Sequence, residues 1–124
     1  MENENLSWML ERYVDRMNAH DVKGISDLWT DDGIFDDVSA KLLVGKPGYK
    51  VGKKAIKGTF RLMFLAKPKA NIIKMYDNGL DMDYDIHILG KTLPCHGRIV
   101  EVKDGKWANY ACTPREEQTM EAAK

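Results

Sequence analysis

Tyr13, on what reads as the first helix, and Asp36 and Asp37, at the end of what reads as the first strand, are the groups best placed for proton chemistry. An aspartate serves as a general base near neutral pH only where apolar surroundings raise its pKa towards the working pH. Phe35 lies two residues before Asp37, hence on the same face of a strand, and would supply such surroundings. The plainer role is a solvated acid, since Asp31, Asp32, Asp36 and Asp37 crowd one short stretch. A buried tyrosine needs a partner for its hydroxyl, which is either a ligand oxygen or a main-chain carbonyl. Arg98 is a permanent cation suited to an oxyanion or carboxylate, or simply to a neighbouring acid at a rim. His87 and His96 are the candidate proton carriers, and Asn109 could orient a ligand carbonyl or satisfy a strand end. Gly45-Lys46-Pro47-Gly48 lacks the spacing of a phosphate loop, no His/Cys/Asp set has zinc spacing, and no serine sits in a nucleophile elbow. The expected chemistry is therefore proton transfer in an enclosed apolar cavity, with no metal and no cofactor.

The elements that must position these groups follow from periodicity. Leu6, Leu10, Tyr13, Val14 and Met17 recur at three- and four-residue steps and predict a helix over Leu6–Asn18, capped by Ser7 or Asn5. Asp21 caps a short second helix that buries Val22, Ile25, Leu28 and Trp29. Thr30-Asp31-Asp32-Gly33 reads as a turn and Ile34–Val38 as a strand. Ser39–Val51 contains Gly45, Pro47 and Gly48 but also Leu42, Leu43, Val44 and Tyr49, the pattern of a lid or edge flap. A third helix opens at Gly52, presents Ala55, Ile56, Phe60, Met63 and Phe64, and stops before Pro68.

Beyond Lys69 the period becomes two, with strands predicted over Asn71–Tyr76, Leu80–Leu89, Leu93–Val102 and Lys106–Thr113. Asp77-Asn78-Gly79 and Asp104-Gly105 are hairpin turns by composition, with Gly90-Lys91 a third. In the strand before Gly90, Met82, Tyr84, Ile86 and Ile88 form the apolar face and His87 the outer one. A two-residue Asp104-Gly105 turn pairs Val102 with Trp107, Val100 with Asn109 and Arg98 with Ala111. That places these residues and His96 on one face, as a cavity lining, and leaves Ile99 and Tyr110 on the other. The charged tail, Arg115–Lys124, is expected to fray.

The chain of 124 residues is read as one domain, 1–124, of α+β class: three helices from its N-terminal half packed on a strongly bent antiparallel sheet. Lys+Arg and Asp+Glu balance at 19 each, so no net field favours a polyanion, and no basic cluster interleaved with aromatics suggests nucleic acid. Glu2 and Glu4 stand where a signal peptide would carry positive charge, and no run is long and apolar enough for a membrane span. Cys95 and Cys112 lack metal-ligand spacing and are expected to be reduced. A cytoplasmic location and no membrane partner are the expectation.

The order helix–helix–strand–helix–strands, the phrase RYVDRMNAHDVKGISDLWTDDGIFDD and the later VGKKAIKGTF together resemble the nuclear transport factor 2-like superfamily, in its ketosteroid isomerase and SnoaL-like branch. The resemblance runs from about Leu6 to Pro114. It implies a cone-shaped, cystatin-like α+β barrel and a homodimer, with the strand face carrying Ile99 and Tyr110 as the expected contact. It also implies that Asp37 is the general base and that Tyr13 donates a hydrogen bond to the substrate oxyanion. Arg98 falls where that family has a protonated aspartic acid, which favours a different or more polar substrate than a steroid. The implied ligand is a small apolar or carbonyl-containing molecule lying against Phe35, Phe60, His96, Val100, Trp107 and Asn109. The alternatives are a binding or dimerisation module without chemistry, and an epoxide hydrolase or dehydratase in which Arg98 positions water through a carboxylate.

Overall fold

A computed structural model of the chain describes residues 5–115, so the predicted fraying of the tail beyond Arg115 lies outside the described residues. Helix α1 (Ser7–Asn18) buries Met9, Leu10, Tyr13, Val14 and Met17, the stripe expected from its period. After it, α2 (Val22–Ser26) is capped by Asp21, whose carboxylate accepts from the Gly24 amide at 2.9 Å. Strand β1 then runs Trp29–Asp37, beginning earlier than predicted because Trp29 and the aspartate-rich stretch extend rather than turn. A 3-10 turn (Val38–Ala40), the four-residue helix α3 (Lys41–Val44) and the edge strand β2 (Gly48–Val51) occupy the segment expected to be a flap. Helix α4 (Lys53–Met63) ends in a second 3-10 turn, Phe64–Ala66, closed by Lys67 in the left-handed region.

Four strands follow: β3 (Lys69–Met75), β4 (Asp81–Ile88), β5 (Lys91–Lys103) and β6 (Lys106–Pro114). Their turns carry positive φ at Gly79, Gly90, Asp104 and Gly105, the conformation that hairpins of this handedness need. One sheet holds all six strands in the order β2-β1-β6-β5-β4-β3. The α+β class is as expected, with two differences. The sheet is mixed rather than antiparallel, because β1 lies parallel to β6, and the described residues contain four α-helices, the extra one being α3.

The core sits between α1, α4 and one face of the sheet. Tyr13 is at its centre, with the rings of Trp29, Phe60, Tyr84, Trp107 and Tyr110 all within 6.3 Å. Gly97 allows this packing: a Cβ there would stand 2.1 Å from the Tyr110 hydroxyl, so any side chain would have to displace that phenol.

The last hairpin corrects the expected lining. Arg98 pairs with Ala111 and Val102 with Trp107, as predicted, but the register shifts between Ile99 and Val102, where Glu101 pairs with Asn109. A bulge of this kind turns the strand over, so residues before and after it present opposite faces for the same parity. Trp107 therefore faces the core, fully buried, while Val100 is 50% exposed and Arg98 and His96 lie on the outer face. Ile99 and Tyr110, expected as a dimer contact, are core residues at 2% and 0% exposure.

Candidate functional site

Asp37 ends β1, where the chain leaves the sheet and tightens into the 3-10 turn. Its alternation with Phe35 puts both on the inner side of the sheet, at the wall of a cavity of about 410 Å³. Ser39, Ala40, Leu43 and Val44 continue that wall, and Lys46 to Gly48 and Lys50 close one side of it. Thr59, Leu62 and Met63 from α4, with Ala66 beyond it, form another side. Ile86, Ile88, Leu89, Leu93 and Cys95, from β4, β5 and their turn, form the floor. Among the described residues that line it, Asp37 is the one acid.

Burial among these side chains pushes the Asp37 carboxyl up to about 7. The Ala40 amide pulls the other way, too loosely placed to cap the short turn, and the neighbouring charge of Asp36 adds to the rise. Although Asp37 is only half-buried, the low polarity of the wall dominates. A carboxyl in this state exists both as acid and as carboxylate near neutral pH, which is what a proton carrier requires.

Tyr13 is not among the residues lining the cavity. Its phenol lies behind the wall, turned towards Tyr84, and burial first of all holds its pKa well above the ordinary tyrosine value. Behind the same wall runs a chain of hydrogen bonds. Tyr110 donates to the Tyr84 hydroxyl at 3.2 Å, and the Cys112 thiol donates to Ser39 Oγ at 3.3 Å. Tyr84 must then be the donor in its 3.0 Å contact with Cys112 Sγ, because a thiol has a single proton. Cys95 and burial keep the Cys112 thiol protonated by raising its pKa. The chain ends on Ser39 at the cavity wall; the other lining hydroxyl, Thr59, is spent on the Ala55 carbonyl at 3.2 Å. Asp37 is close enough for its charge to raise the pKa values of Tyr13, Tyr110 and Cys112.

The other expected site residues lie elsewhere. Phe60 is fully buried and stacks on Phe35 at 5.5 Å, one layer behind the cavity. Trp107 and Asn109 belong to the sheet interior, where Trp107 Nε1 and Asn109 Oδ1 are buried without a hydrogen-bond partner among the described residues. On the outer face, His96 bridges two buried carboxylates, Nδ1 to Asp83 at 2.6 Å and Nε2 to Asp81 at 3.0 Å. Arg98 holds Asp81 at 3.0 Å and Tyr76 donates to Asp83 at 3.0 Å. Burial alone would raise the Asp81 carboxyl, but Asn78, His96 and Arg98 outweigh it and hold it below the usual range. Arg98 is thus committed to an ion pair across the sheet from Asp37. His87 is exposed, held by Thr92 and Asn71.

Sequence reasoning missed Ser39, Cys95, Lys46 and Lys50. The apolar content of 42–44 signalled a buried surface there, but nothing local shows that a 3-10 turn carries Ser39 back beside Asp37. Among the described residues no group of His, Cys, Asp and Glu is arranged to hold a metal ion, and no helix is long and apolar enough to cross a membrane.

No known family model matches the sequence, and no curated protein matches it. Solved structures do. A nuclear transport factor 2-like protein of unknown function from Cytophaga hutchinsonii superposes with a TM-score of 0.69 at 16% identity, over 97% of this chain and 99% of the other. A SnoaL-like protein of unknown function from Burkholderia thailandensis gives 0.69 at 13% identity, over 88% and 93%. A hypothetical protein with the ketosteroid isomerase-like fold from Catenulispora acidiphila, in complex with trimethylamine, gives 0.65 at 14% identity, over 84% and 82%. At such identities the likeness is one of fold.

Proposed function

From a chain with the nuclear transport factor 2-like fold, we propose a cofactor-independent enzyme that moves a proton next to the carbonyl of an apolar small molecule, with Asp37 as the base. The observation that carries this reading is the carboxyl of Asp37 set into the wall of a mainly apolar cavity. The carboxylate takes a proton from the carbon beside the carbonyl, and the electron pair moves onto the carbonyl oxygen. The resulting acid then returns the proton to the same or a conjugated carbon. Ser39 supplies the hydrogen bond to the developing oxyanion, with its proton made more acidic by the donors ranged behind it.

Tyr13, in this reading, is a positioning residue that holds Tyr84 in the chain rather than a contact to the ligand. Ser39→Ala is expected to lower turnover about 10–100-fold, whereas Tyr13→Phe changes it less than about threefold and costs about 1 kcal/mol of stability. Both follow from kinetics and urea unfolding on the two variants. A Tyr13→Phe variant as impaired as Ser39→Ala would return the oxyanion to Tyr13.

The direct test is deuterium incorporation beside the carbonyl of 2-decalone in heavy water, with the Asp37 carboxyl titrated by carbon NMR in parallel. Exchange in the wild type that disappears in Asp37→Asn is expected. Exchange that persists in the variant, or an Asp37 titration near 4, would remove the base. A dehydratase or epoxide hydrolase built on Arg98 loses support, because that guanidinium is across the sheet on Asp81. A binding module without chemistry draws its support from the position of the Tyr13 phenol behind the wall, and it predicts ligand binding without exchange.

A further inference from the structure

We propose that the cavity takes an elongated apolar molecule ending in a carboxylate, its anionic end held by Lys46 and Lys50 at the mouth and its body lying along Phe35 and Ile86. This rests on the reading of Asp37 as the base in the same cavity and names the class of molecule that reaches it.

Lys46 and Lys50 both line the cavity and are both exposed. No ion pair joins either of them to a carboxylate among the described residues. The placement of Lys50 is set by register. β2 pairs antiparallel with β1, Phe35 opposite Lys50 and Asp37 opposite Gly48, so Lys50 shares the cavity face with those two residues. Tyr49 and Val51 alternate to the other face.

The two charges of the site stand apart. Lys46 and Lys50 are exposed at the rim of the cavity, whereas Asp37 is half-buried in its wall. A ligand serving both ends must therefore span the apolar trough between them. The mouth is also apolar where it is not cationic: Val44, Leu62 and Leu89 are 63%, 71% and 69% exposed around it. Exposed apolar side chains beside unpaired lysines match an amphiphile better than a neutral ketone or a small polar acid. The chain has no net charge, so any preference for an anion must arise at this local pair.

Calorimetric titration at about pH 6, where Asp37 is mostly protonated, with decanoate and with its uncharged isostere decanamide tests the proposal. Decanoate is expected to bind about threefold to tenfold more tightly, the range for two exposed ion pairs. The preference should shrink at about 0.5 M salt and disappear in Lys46→Gln/Lys50→Gln, which still binds decanamide as the wild type does. Asp37→Asn should keep the preference, which separates this test from that of the base. Equal affinities in the wild type, or a preference that survives loss of both lysines, would overturn the carboxylate and leave the role of Asp37 standing. Failure of both molecules to bind would remove the cavity as a ligand site, and both readings with it.

Discussion

Asp37→Asn is expected to lower turnover by about 10²–10⁴-fold, the range for loss of a positioned general base. The wild-type rate should rise with pH through about 7, following the carboxylate form, and the variant's residual rate should not. The same substitution has an opposite effect on stability. The ordinary carboxyl value is 3.8 and that in the folded chain about 7. Between the two, the unfolded chain has released its proton and the folded chain retains it, so stability falls as pH rises across that window and levels off above it. The difference sets a ceiling of about 4 kcal/mol. Water that reaches the half-buried side chain screens the carboxylate, and about 2 kcal/mol is the expected loss. Asparagine never ionises, so the variant should withstand more urea than the wild type at about pH 8 and match it near pH 4. Urea midpoints at both pH values, beside a pH–rate profile, make the check. Identical midpoints at both would mean that the carboxyl is bathed in water and is no base.

Phe60→Ala is expected to cost about 3–5 kcal/mol, a large share of the 5–15 kcal/mol that holds an average domain together. The ring has no exposed surface and touches four others: Phe35 face to face at 5.5 Å, Phe64 at 5.6 Å, Trp29 at 5.9 Å and Tyr13 at 6.2 Å. Truncation leaves a hole that this packed set cannot close by small shifts. Urea unfolding measures the loss. Phe60→Leu retains most of the volume, should cost under about 1.5 kcal/mol and should leave ligand affinity unchanged, because Phe35 stands between Phe60 and the cavity. Affinity that collapses in the leucine variant would make Phe60 the ligand contact that the sequence suggested.

The parts of the site that can be read from the sequence are those governed by local rules. Leu10, Tyr13, Val14 and Met17 mark one face of α1 by period alone. Phe35 and Asp37 share a face because strand side chains alternate, and that alternation separates Asp37 from the exposed Asp31 and Asp32. Asp104-Gly105 makes a hairpin by turn chemistry. What could not be read depends on partners far along the chain. The register shifts of the last hairpin have no marker in Ile99-Val100-Glu101-Val102 or in Trp107-Ala108-Asn109, yet the extra Ala108 in β6 turns Trp107 inward while His96 and Arg98 face out. The parallel pairing of β1 with β6 is likewise set by the whole sheet. So is the fold-back of 39–50 over the end of the sheet, which makes Ser39, Lys46 and Lys50 parts of one wall.

The adjacency of β1 and β6 has a consequence for how the protein comes into being. Synthesis delivers Asp37 well before its parallel neighbour, so on a nascent chain the pairing of β1 with β6 waits until Lys106–Pro114 has emerged. Trp29 and Trp107 meet edge to face at 5.0 Å when the last strand inserts, which gives that moment an intrinsic optical reporter. A chain cut before Lys106 therefore leaves β1 without its neighbour on that side and β5 with an open edge.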